Sequence, residues 1–382
     1  MDRIHYEPCN LPPEADALRR EVREFLTEEL AHLSPSDRAN SWSEADEEFT
    51  KKIGARGWIG LTWPKKYGGQ ERTMLERYVV QEEFLAAGAP ITLHHIADRQ
   101  SGPLLMRFAS EETCLDILPR IAKGECYFCI GMSEPDTGSD LAAVRSKAEK
   151  VDGGWLLNGS KIWTSRAHMV HYMIGLFRTD PKAEKHSGLS QFLIDLRNTD
   201  GISIRPVINL AGRHDFNQVF FEDVLLPEDA LIGEENNGWH QVLTELTFER
   251  AGPERYMSSQ ALMNEVVRSA SQSPGERAAV EIGKMVANLA SLRQMSLSVA
   301  SMQQAGEDPA FEGSLIKEIG VNFEQSIPRT AHELFGLEAG LENGSELEKT
   351  YAKLNMVAPS FSLRGGTREV LRGIIAKRMG LR

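Results

Sequence analysis

The sequence predicts an α+β fold, mainly helical, in which a helical N-terminal domain, a middle β-domain and a helical C-terminal domain follow one another. Apolar residues recur at helical spacing through the first third of the chain, several short β-rich runs come next, and helical spacing then returns to the end. A chain of 382 residues is also too long for one ordinary core. We therefore expect domains at 1–125, 126–235 and 236–382.

The N-terminal region begins with an apolar stripe on one helix face, formed by Leu18, Val22, Phe25, Leu26 and Leu30. Further helical patterns follow. The turn-rich segment GWIGLTWPKKYGGQ at 57–70 interrupts them, and LPRIAKGE at 118–125 ends them. These features predict a helical domain with one irregular connection.

The middle region consists of short runs rich in Ile, Val, Phe and Leu, which favour strands. They are AEKVDGGWLLNGSKIWTS (148–165), HYMIGLFRT (171–179), SQFLIDL (190–196), ISIRPV (202–207) and NQVFFEDVLL (217–226). In the first run, Asp-Gly-Gly and Asn-Gly are turn signals. Strands at this spacing predict a small barrel or sandwich rather than alternating strands and helices.

The C-terminal region ends in an amphipathic helix. Val370, Leu371, Ile374 and Ile375 fall on one face, and arginines lie elsewhere on the helix.

Composition limits the classes of function. The chain has 43 basic and 55 acidic side chains, a net charge of −12, which argues against a nucleic-acid binder. No apolar run reaches the length of a membrane span, and the first residues do not resemble a signal peptide. Four cysteines fit a reducing compartment, so we expect a cytoplasmic protein that contacts neither nucleic acid nor membrane. The paired histidines His94-His95 and His168/His171 lack companion ligands, so no metal site is expected.

The segment GMSEPDTGSD at 131–140 enters the β-region with small residues, hydroxyls and two glycines, so its backbone can approach a ligand closely. Alone, this pattern is more typical of an ordinary loop with Asp and Ser turn residues. No G-x-G-x-x-G follows a predicted strand and no G-x-S-x-G is present, which argues against a Rossmann dinucleotide site and an α/β-hydrolase.

Several segments in one order carry a resemblance to a known family. GMSEPDTGSD resembles the Glu-Pro-x-x-Gly-Ser-Asp flavin loop of acyl-CoA dehydrogenases, and KIWTS (161–165) resembles their Trp-x-Ser/Thr flavin contact. WPKKYGG (63–69), LPRIAKGE, VFFEDVLLPEDALIG (219–233), NNGW (236–239) and GGTREVLRGIIAKRMG (365–380) are also similar to that family. The resemblance spans nearly the whole chain and implies a C-terminal four-helix bundle.

The resemblance implies FAD as the cofactor and assigns residues to it. The backbone around Met132 and the Ser133 hydroxyl would bind the pyrimidine side of the flavin, Trp163 would cover the ring, and Ser165 would lie near N5. Ser139 would sit where thioester and phosphates meet. The implied cofactor-binding residues are Met132, Ser133, Ser139, Trp163, Thr164, Ser165, Thr367 and Glu369, and the implied substrate-binding residues are Ser139, Arg250, Gly365 and Gly366.

The catalytic base departs from the common pattern. Most members carry it as Glu in Tyr-Glu-Gly-Thr, where this chain has Arg364-Gly365-Gly366-Thr367. One branch of the family places its Glu just before an Arg on the helix after the β-domain, and Glu249-Arg250 falls at that place. Glu249 is the candidate base, although such a pair is often only a solvated one. Glu245 is the next candidate, and Asp136 follows it. We expect the helix to pack through Val242, Leu243, Leu246 and Ala251.

The predicted activity is therefore FAD-dependent α,β-dehydrogenation of an acyl-CoA, with an electron-transfer flavoprotein as acceptor. SQSPGERAAVEIGKMVANL (271–289) and HELFGLEAGL (332–341) are degraded versions of segments that complete the neighbouring subunit's flavin site. A homo-oligomer and a heteromer with a related subunit both stay open. Two rival functions remain: a flavin oxidase or monooxygenase on a substrate that is not a thioester, and a non-catalytic partner subunit.

Overall fold

The computed structural model describes residues 4–248, 250–340 and 343–381, without the side chains of 246–248. Twelve α-helices lie in these residues: α1 Pro13–Glu29, α2 Glu47–Ala55, α3 Met74–Ala87, α4 Thr92–Ile96, α5 Gly102–Phe108, α6 Glu111–Ala122, α7 Gly238–Phe248, α8 Gln260–Gln272, α9 Glu276–Gln304, α10 Ala310–Phe335, α11 Glu346–Val357 and α12 Arg368–Arg378. The predicted order of helices, strands and helices is confirmed. None of the described helices is both long and apolar enough to cross a membrane.

The seven strands are β1 Phe128–Gly131, β2 Lys147–Val151, β3 Gly154–Ser165, β4 Tyr172–Arg178, β5 Leu189–Asp195, β6 Ile202–Val207 and β7 Phe216–Pro227. They form one sheet in the order β1-β4-β2-β3-β7-β6, and β5 pairs with β4. The apolar runs of the middle region are therefore strands, as predicted.

The Asn158-Gly159 dipeptide does not form the turn that its sequence suggested. Strand β3 runs through it and pairs with β7 on both sides, with a register shift between Leu157 and Gly159. The Asn158 side chain instead exchanges hydrogen bonds with Asp223 on β7, at 3.0 and 2.9 Å. An Asn-Gly pair can thus serve a bulge as well as a hairpin, because a bulge also uses unusual backbone angles.

Contacts divide the chain into two compact units. Unit 1 comprises Met1–Ala45, Arg72–Ile91 and Glu249–Arg382, and unit 2 comprises Asp46–Glu71 and Thr92–Phe248. This division follows spatial contacts rather than chain order, so the predicted borders of three sequential domains stay a prediction.

Unit 1 is built on α1, α3 and α9. The predicted stripe of α1 is buried, with Val22 fully inaccessible and Leu18 at 4% exposure. Ala15 of α1 joins a core cluster with five residues of α3 and α9, namely Leu75, Tyr78, Val79, Leu297 and Ala300. In α12 only Leu371 is fully buried, whereas Val370, Ile374 and Ile375 are half-buried.

Unit 2 holds the sheet. Buried side chains alternate along β7 with half-buried or exposed ones, as expected for a strand with one buried face. A core cluster of Val144, Leu176, Leu189 and Val242 lies beside β4 and β5, and the half-buried Met132 packs against it. The first residues of the GMSEPDTGSD loop are therefore anchored in the core of unit 2.

Candidate functional site

The GMSEPDTGSD loop begins where β1 ends and turns sharply. Glu134 and Thr137 exchange backbone hydrogen bonds of 2.8 and 3.0 Å, which closes a tight turn around Pro135 and Asp136. Met132 and Ser133, just before the turn, are half-buried. The loop therefore presents these two residues from a fixed backbone.

The loop lies against the end of β3. The Ile162 N–H donates to the Ser133 carbonyl at 2.9 Å, and Lys161 Nζ donates to the Met132 carbonyl at 3.3 Å. The structure thus brings together two of the segments that the sequence singled out, Met132-Ser133 and Trp163–Ser165.

A buried ion pair supports this junction. Lys161 is fully buried, and its ammonium lies 2.8 Å from the Glu134 carboxylate, which also accepts the backbone N–H groups of Arg145 and Ser146. Burial lowers the pKa of Lys161 to about 8, against the opposing effect of the Glu134 charge. Burial alone would raise the pKa of Glu134, but the Lys161 charge and these hydrogen bonds hold it below its ordinary value.

Trp163 lies at a bulge of strand β3 and is exposed. It occupies a bulge in β3, where the register with β7 shifts between Lys161 and Thr164, and its φ of 61° lies in the left-handed region. Its side chain is 57% exposed and meets Phe216 edge-on, with ring centroids 5.9 Å apart. A non-glycine residue in this conformation carries strain that the surrounding structure must support.

The two residues after Trp163 differ in exposure. Thr164 is fully buried, and its hydroxyl donates to the Asn217 carbonyl at 2.8 Å. Ser165 is half-buried opposite Phe216 in the ladder. The Thr164 hydroxyl is therefore used inside the sheet, whereas Ser165 is partly accessible.

Ser139 lies on the surface of unit 2. It is exposed and follows Gly138, around which an added Cβ would meet nothing within 4 Å. Its predicted contact with the phosphate groups stays a prediction.

Gly365 and Gly366, in unit 1, form a turn that enters α12. Both have left-handed backbone angles, with φ of 64° and 90°. The fully buried Lys317 donates to the Gly366 carbonyl. The two glycines therefore satisfy a backbone requirement that other residues meet only with strain.

Arg364 anchors this turn. Its guanidinium lies 2.7 Å from the fully buried Glu324 carboxylate. It also lies over the rings of Trp42 and Phe361, with its central carbon 4.5 and 4.4 Å from the ring centroids. A charge held by both a carboxylate and two aromatic faces fixes the backbone that follows it.

Thr367 is the N-cap of α12, because its side chain accepts the Val370 N–H at 3.4 Å. Glu369 is exposed in the first turn of the helix. Their predicted contact with the cofactor stays a prediction.

The candidate base Glu249 lies outside the described residues, directly after the end of α7. The adjacent Arg250 is 7% exposed, and its guanidinium approaches the Ser314 hydroxyl at 3.4 Å. Val242 and Ala251 are buried as expected. The expectation for Leu243 is wrong, since this residue is 49% exposed, and the Leu246 side chain is outside the described part of the chain.

The alternative bases differ from each other in exposure. Glu245 is 2% exposed, and its carboxylate accepts a hydrogen bond from Gln191 at 2.8 Å. Asp136 is exposed at the loop turn.

Comparisons with known proteins extend these observations to the whole chain. Models of the N-terminal, middle and C-terminal domains of acyl-CoA dehydrogenase match residues 12–125, 129–224 and 236–380. The acyl-CoA dehydrogenase FadE26 of Mycobacterium tuberculosis (strain ATCC 25618 / H37Rv) is 30% identical over 394 residues, which cover 95% of this chain and 96% of the relative.

The chain belongs to the acyl-CoA dehydrogenase family.

Solved structures agree with this assignment. The Tcur3481-Tcur3483 steroid ACAD has a TM-score of 0.87 and 27% identity, with 97% of this chain and 98% of that chain covered. The ChsE4-ChsE5 complex from Mycobacterium tuberculosis has a TM-score of 0.84 and 28% identity, with 100% of this chain and 99% of that chain covered.

Members of the acyl-CoA dehydrogenase family are FAD-dependent flavoproteins, and the residues of unit 2 fit a flavin. The Trp163 indole is a large aromatic side chain at a bulge, and its 57% exposure leaves surface against which a flat ring can pack. Met132 and Ser133 lie beside it through the Ile162 hydrogen bond. The half-buried Ser133 and Ser165 add hydroxyls that can bind ring heteroatoms.

Sequence reasoning missed four side chains that shape this acyl-CoA dehydrogenase: Glu134, Lys161, Asn217 and Arg364. One signal was available for Lys161, because it is an even number of residues from the buried Trp155 and Leu157 on the same strand. Alternation alone therefore places this charge on the buried face, where it needs a partner. No local pattern pointed to Arg364, whose partner Glu324 lies 40 residues away.

Proposed function

We propose that this chain removes two hydrogens from the α and β carbons of an acyl-CoA thioester, with Glu249 as the base for the α-proton. The observation that carries the proposal is the junction of the GMSEPDTGSD loop with the Trp163 bulge, which presents Met132, Ser133 and Ser165 beside one exposed aromatic ring. Gly365 has no carboxylate at the common base position. This leaves Glu249, at the position after the β-domain that one branch of the family uses.

The weak acidity of the substrate explains why a base is needed. An α-proton of a thioester is only weakly acidic, so a positioned carboxylate must accept it, which contributes roughly 10²–10⁴-fold to the rate. Negative charge then develops on the thioester oxygen and needs a preorganised donor. The backbone N–H of Gly365 can supply one without any side chain. Bound FAD supplies the hydride-accepting redox chemistry.

The test of the base is Glu249→Gln in the FAD-loaded chain. Gln keeps the size and hydrogen-bonding ability of Glu but accepts no proton, so FAD content should stay unchanged. We expect the rate of anaerobic flavin reduction by acyl-CoA to fall by about 10²–10⁴-fold.

Glu235→Gln is the matched control, because Glu235 is exposed and loses the same charge. Glu245→Gln tests the next candidate. If Glu249→Gln reduces its flavin at close to the wild-type rate while Glu245→Gln does not, the base is Glu245. A flavin that acyl-CoA fails to reduce in the wild-type chain, but that another substrate class reduces, would favour the oxidase or monooxygenase alternative.

We propose branched or cyclic acyl groups as the substrate class. Gly365 removes a carboxylate-bearing side chain from the common base position, and a related structure is described as a steroid ACAD. The kcat/KM should be higher for α-methyl-branched or steroid-like acyl-CoAs than for straight medium chains. A clear preference for straight medium chains over every branched substrate would contradict this assignment.

We further propose a cytoplasmic enzyme that passes electrons to an electron-transfer flavoprotein and assembles with a related subunit. Both solved relatives are described by paired names, Tcur3481-Tcur3483 and the ChsE4-ChsE5 complex. All four cysteines are free thiols, which suits a reducing compartment. A chain that binds FAD and reacts with acyl-CoA by itself would argue against the non-catalytic partner alternative.

A further inference from the structure

Asn217 lies directly behind the exposed Trp163 bulge. It is fully buried on β7 and stands opposite Thr164 in the ladder, at the point where the register of β3 and β7 shifts. The bulge inserts one extra residue into β3, because Lys161 pairs with Val219 whereas Thr164 pairs with Asn217. Something must therefore hold the two strands in this register.

The Asn217 side chain and backbone both bind Thr164. Its Nδ2 donates to the Thr164 carbonyl at 3.0 Å, and the Thr164 hydroxyl donates to the Asn217 carbonyl at 2.8 Å. These reciprocal bonds fix the residue between Trp163 and Ser165 from the buried side of the sheet.

The other end of the Asn217 amide is held by two stacked histidines. His168 and His214 lie face to face, with ring centroids 3.8 Å apart and planes 13° apart. The Asn217 Oδ1 lies 3.2 Å from His168 Nδ1 and 2.6 Å from His214 Nε2. Because Nδ2 is used by Thr164, Oδ1 faces the imidazoles and accepts from an N–H of each ring.

An ion pair borders the histidine stack. Arg166 binds the Asp215 carboxylate at 2.7 Å and donates to the His214 carbonyl at 3.1 Å. Its backbone N–H donates to the Asp215 carbonyl at 3.0 Å. The stack therefore rests on the chain segments that directly follow β3 and precede β7, and it cannot shift without moving them.

We propose that Asn217 is a positioning residue for the flavin, which holds the Trp163–Ser165 segment in its bulged shape against the His168–His214 stack. The inference rests on the proposed placement of the flavin at this segment. A contact surface held from behind by a buried side chain such as Asn217 loses little freedom when a ligand binds, so this arrangement strengthens binding without touching the ligand.

The test is the variant Asn217→Ala, with Asn158→Ala as the matched control. Asn158 lies at the other bulge of the same strand pair, and its half-buried side chain also bridges β3 and β7 through Asp223. The apo-chains are titrated with FAD, the visible absorption band of the bound flavin is recorded, and amide hydrogen exchange is measured for residues 160–166.

We expect Asn217→Ala to weaken FAD binding by roughly tenfold or more, since the three hydrogen bonds of the Asn217 side chain are lost. The visible band should shift, and exchange in 160–166 should speed up in the apo-chain. Asn158→Ala should stay within about twofold of wild type in FAD binding, with an unchanged band. A general loss of sheet stability would affect both variants alike and would overturn the inference.

A second variant covers the case in which Asn217→Ala does not fold. His214→Phe keeps a flat ring on His168 but removes the hydrogen bond to Asn217, so a smaller weakening and a band shift are expected. If the folded variants bind FAD with wild-type affinity and show the wild-type absorption band, the role of Asn217 is overturned while the proposed function stands. A wild-type chain that binds no FAD would overturn the proposed function as well.

Discussion

At the residue scale, the backbone explains why a glycine occupies the common base position. Gly365 has a φ of 64°, in a turn that Arg364 and Lys317 anchor from two sides. A side chain in this conformation costs roughly 1–2 kcal/mol. Replacing Gly365 by Glu would therefore return a carboxylate only at the expense of stability.

We predict that Gly365→Ala lowers the free energy of unfolding by about 1–2 kcal/mol and also lowers kcat/KM for bulky acyl-CoAs. Gly336→Ala is the control, because Gly336 has a φ of 63° with nothing within 4 Å of an added Cβ. It should cost similar stability and leave kcat/KM unchanged. Chemical denaturation and steady-state kinetics measure both quantities. Equal kcat/KM for bulky substrates in the two variants would show that Gly365 does not line the substrate site.

His168 makes the stability of unit 2 depend on pH. Burial lowers the pKa of His168 below its ordinary value of 6.5, and the neighbouring His214 and Arg166 lower it further, against the effects of Asn217 and Asp215. The folded chain therefore binds this proton less readily than the unfolded chain. The contribution of His168 to the free energy of unfolding is fully present above pH 6.5 and is lost as the pH falls through its lowered pKa in the folded chain.

We predict that Tm falls between pH 7.5 and pH 5.5 and that His168→Gln reduces this fall, because Gln carries no proton in that range. Thermal unfolding of the wild-type and His168→Gln apo-chains at a series of pH values measures this dependence of Tm on pH. An identical pH dependence in the two proteins would show that other groups cause the loss.

At the element scale, one buried ion pair joins the GMSEPDTGSD loop to strand β3. Glu134 turns the loop inward, and Lys161 meets it from β3 with no exposed surface. Removing one member of a buried pair leaves an uncompensated charge, which costs far more than an exposed pair contributes.

We predict that Lys161→Met destabilises the chain by about 3–5 kcal/mol and that adding Glu134→Gln recovers part of this loss. Lys185→Met is the control, because Lys185 pairs with Asp140 of the same loop at 2.6 Å while both side chains are about half exposed. It should cost less than about 1 kcal/mol. Denaturant unfolding of the wild type, the two Lys161 variants and the Lys185 variant measures these differences. Similar losses in Lys161→Met and Lys185→Met would contradict the prediction.

The same elements show how far sequence could predict this structure. Strands β3 and β7 followed from their apolar residues, such as Trp155, Leu157 and Phe221, because burial of alternate side chains is a local pattern. The bulge at Trp163 did not follow, because it depends on Asn217, which lies 53 residues beyond Thr164. Motif resemblance predicted which residues face the ligand, whereas the buried side chains behind Trp163 could be found only from the fold.

At the scale of the whole molecule, the two ends of the predicted FAD site differ. The segments that are predicted to face the flavin ring match the family, whereas 271–289 and 332–341 are degraded versions of the segments that the resemblance assigns to a neighbour's adenine side. In this chain the start of α9 is largely exposed, with Val280 and Val286 each at 50%, whereas the later Leu297 and Val299 are buried. We therefore expect segment 271–289 of this chain to contribute little to adenine binding.

We predict that the chain alone binds FAD and FMN with affinities within about tenfold of each other, because only the segments assigned to the flavin ring keep the family pattern. Coexpression with a related subunit that carries intact adenine-side segments should tighten FAD binding by more than about tenfold and leave FMN binding unchanged. Fluorescence titration of the apo-proteins measures the four dissociation constants, and sedimentation establishes whether a homo-oligomer or a heteromer is present. If the chain alone binds FAD more than tenfold more tightly than FMN, it recognises adenine without a related partner, and the degraded segments do not signal a heteromer.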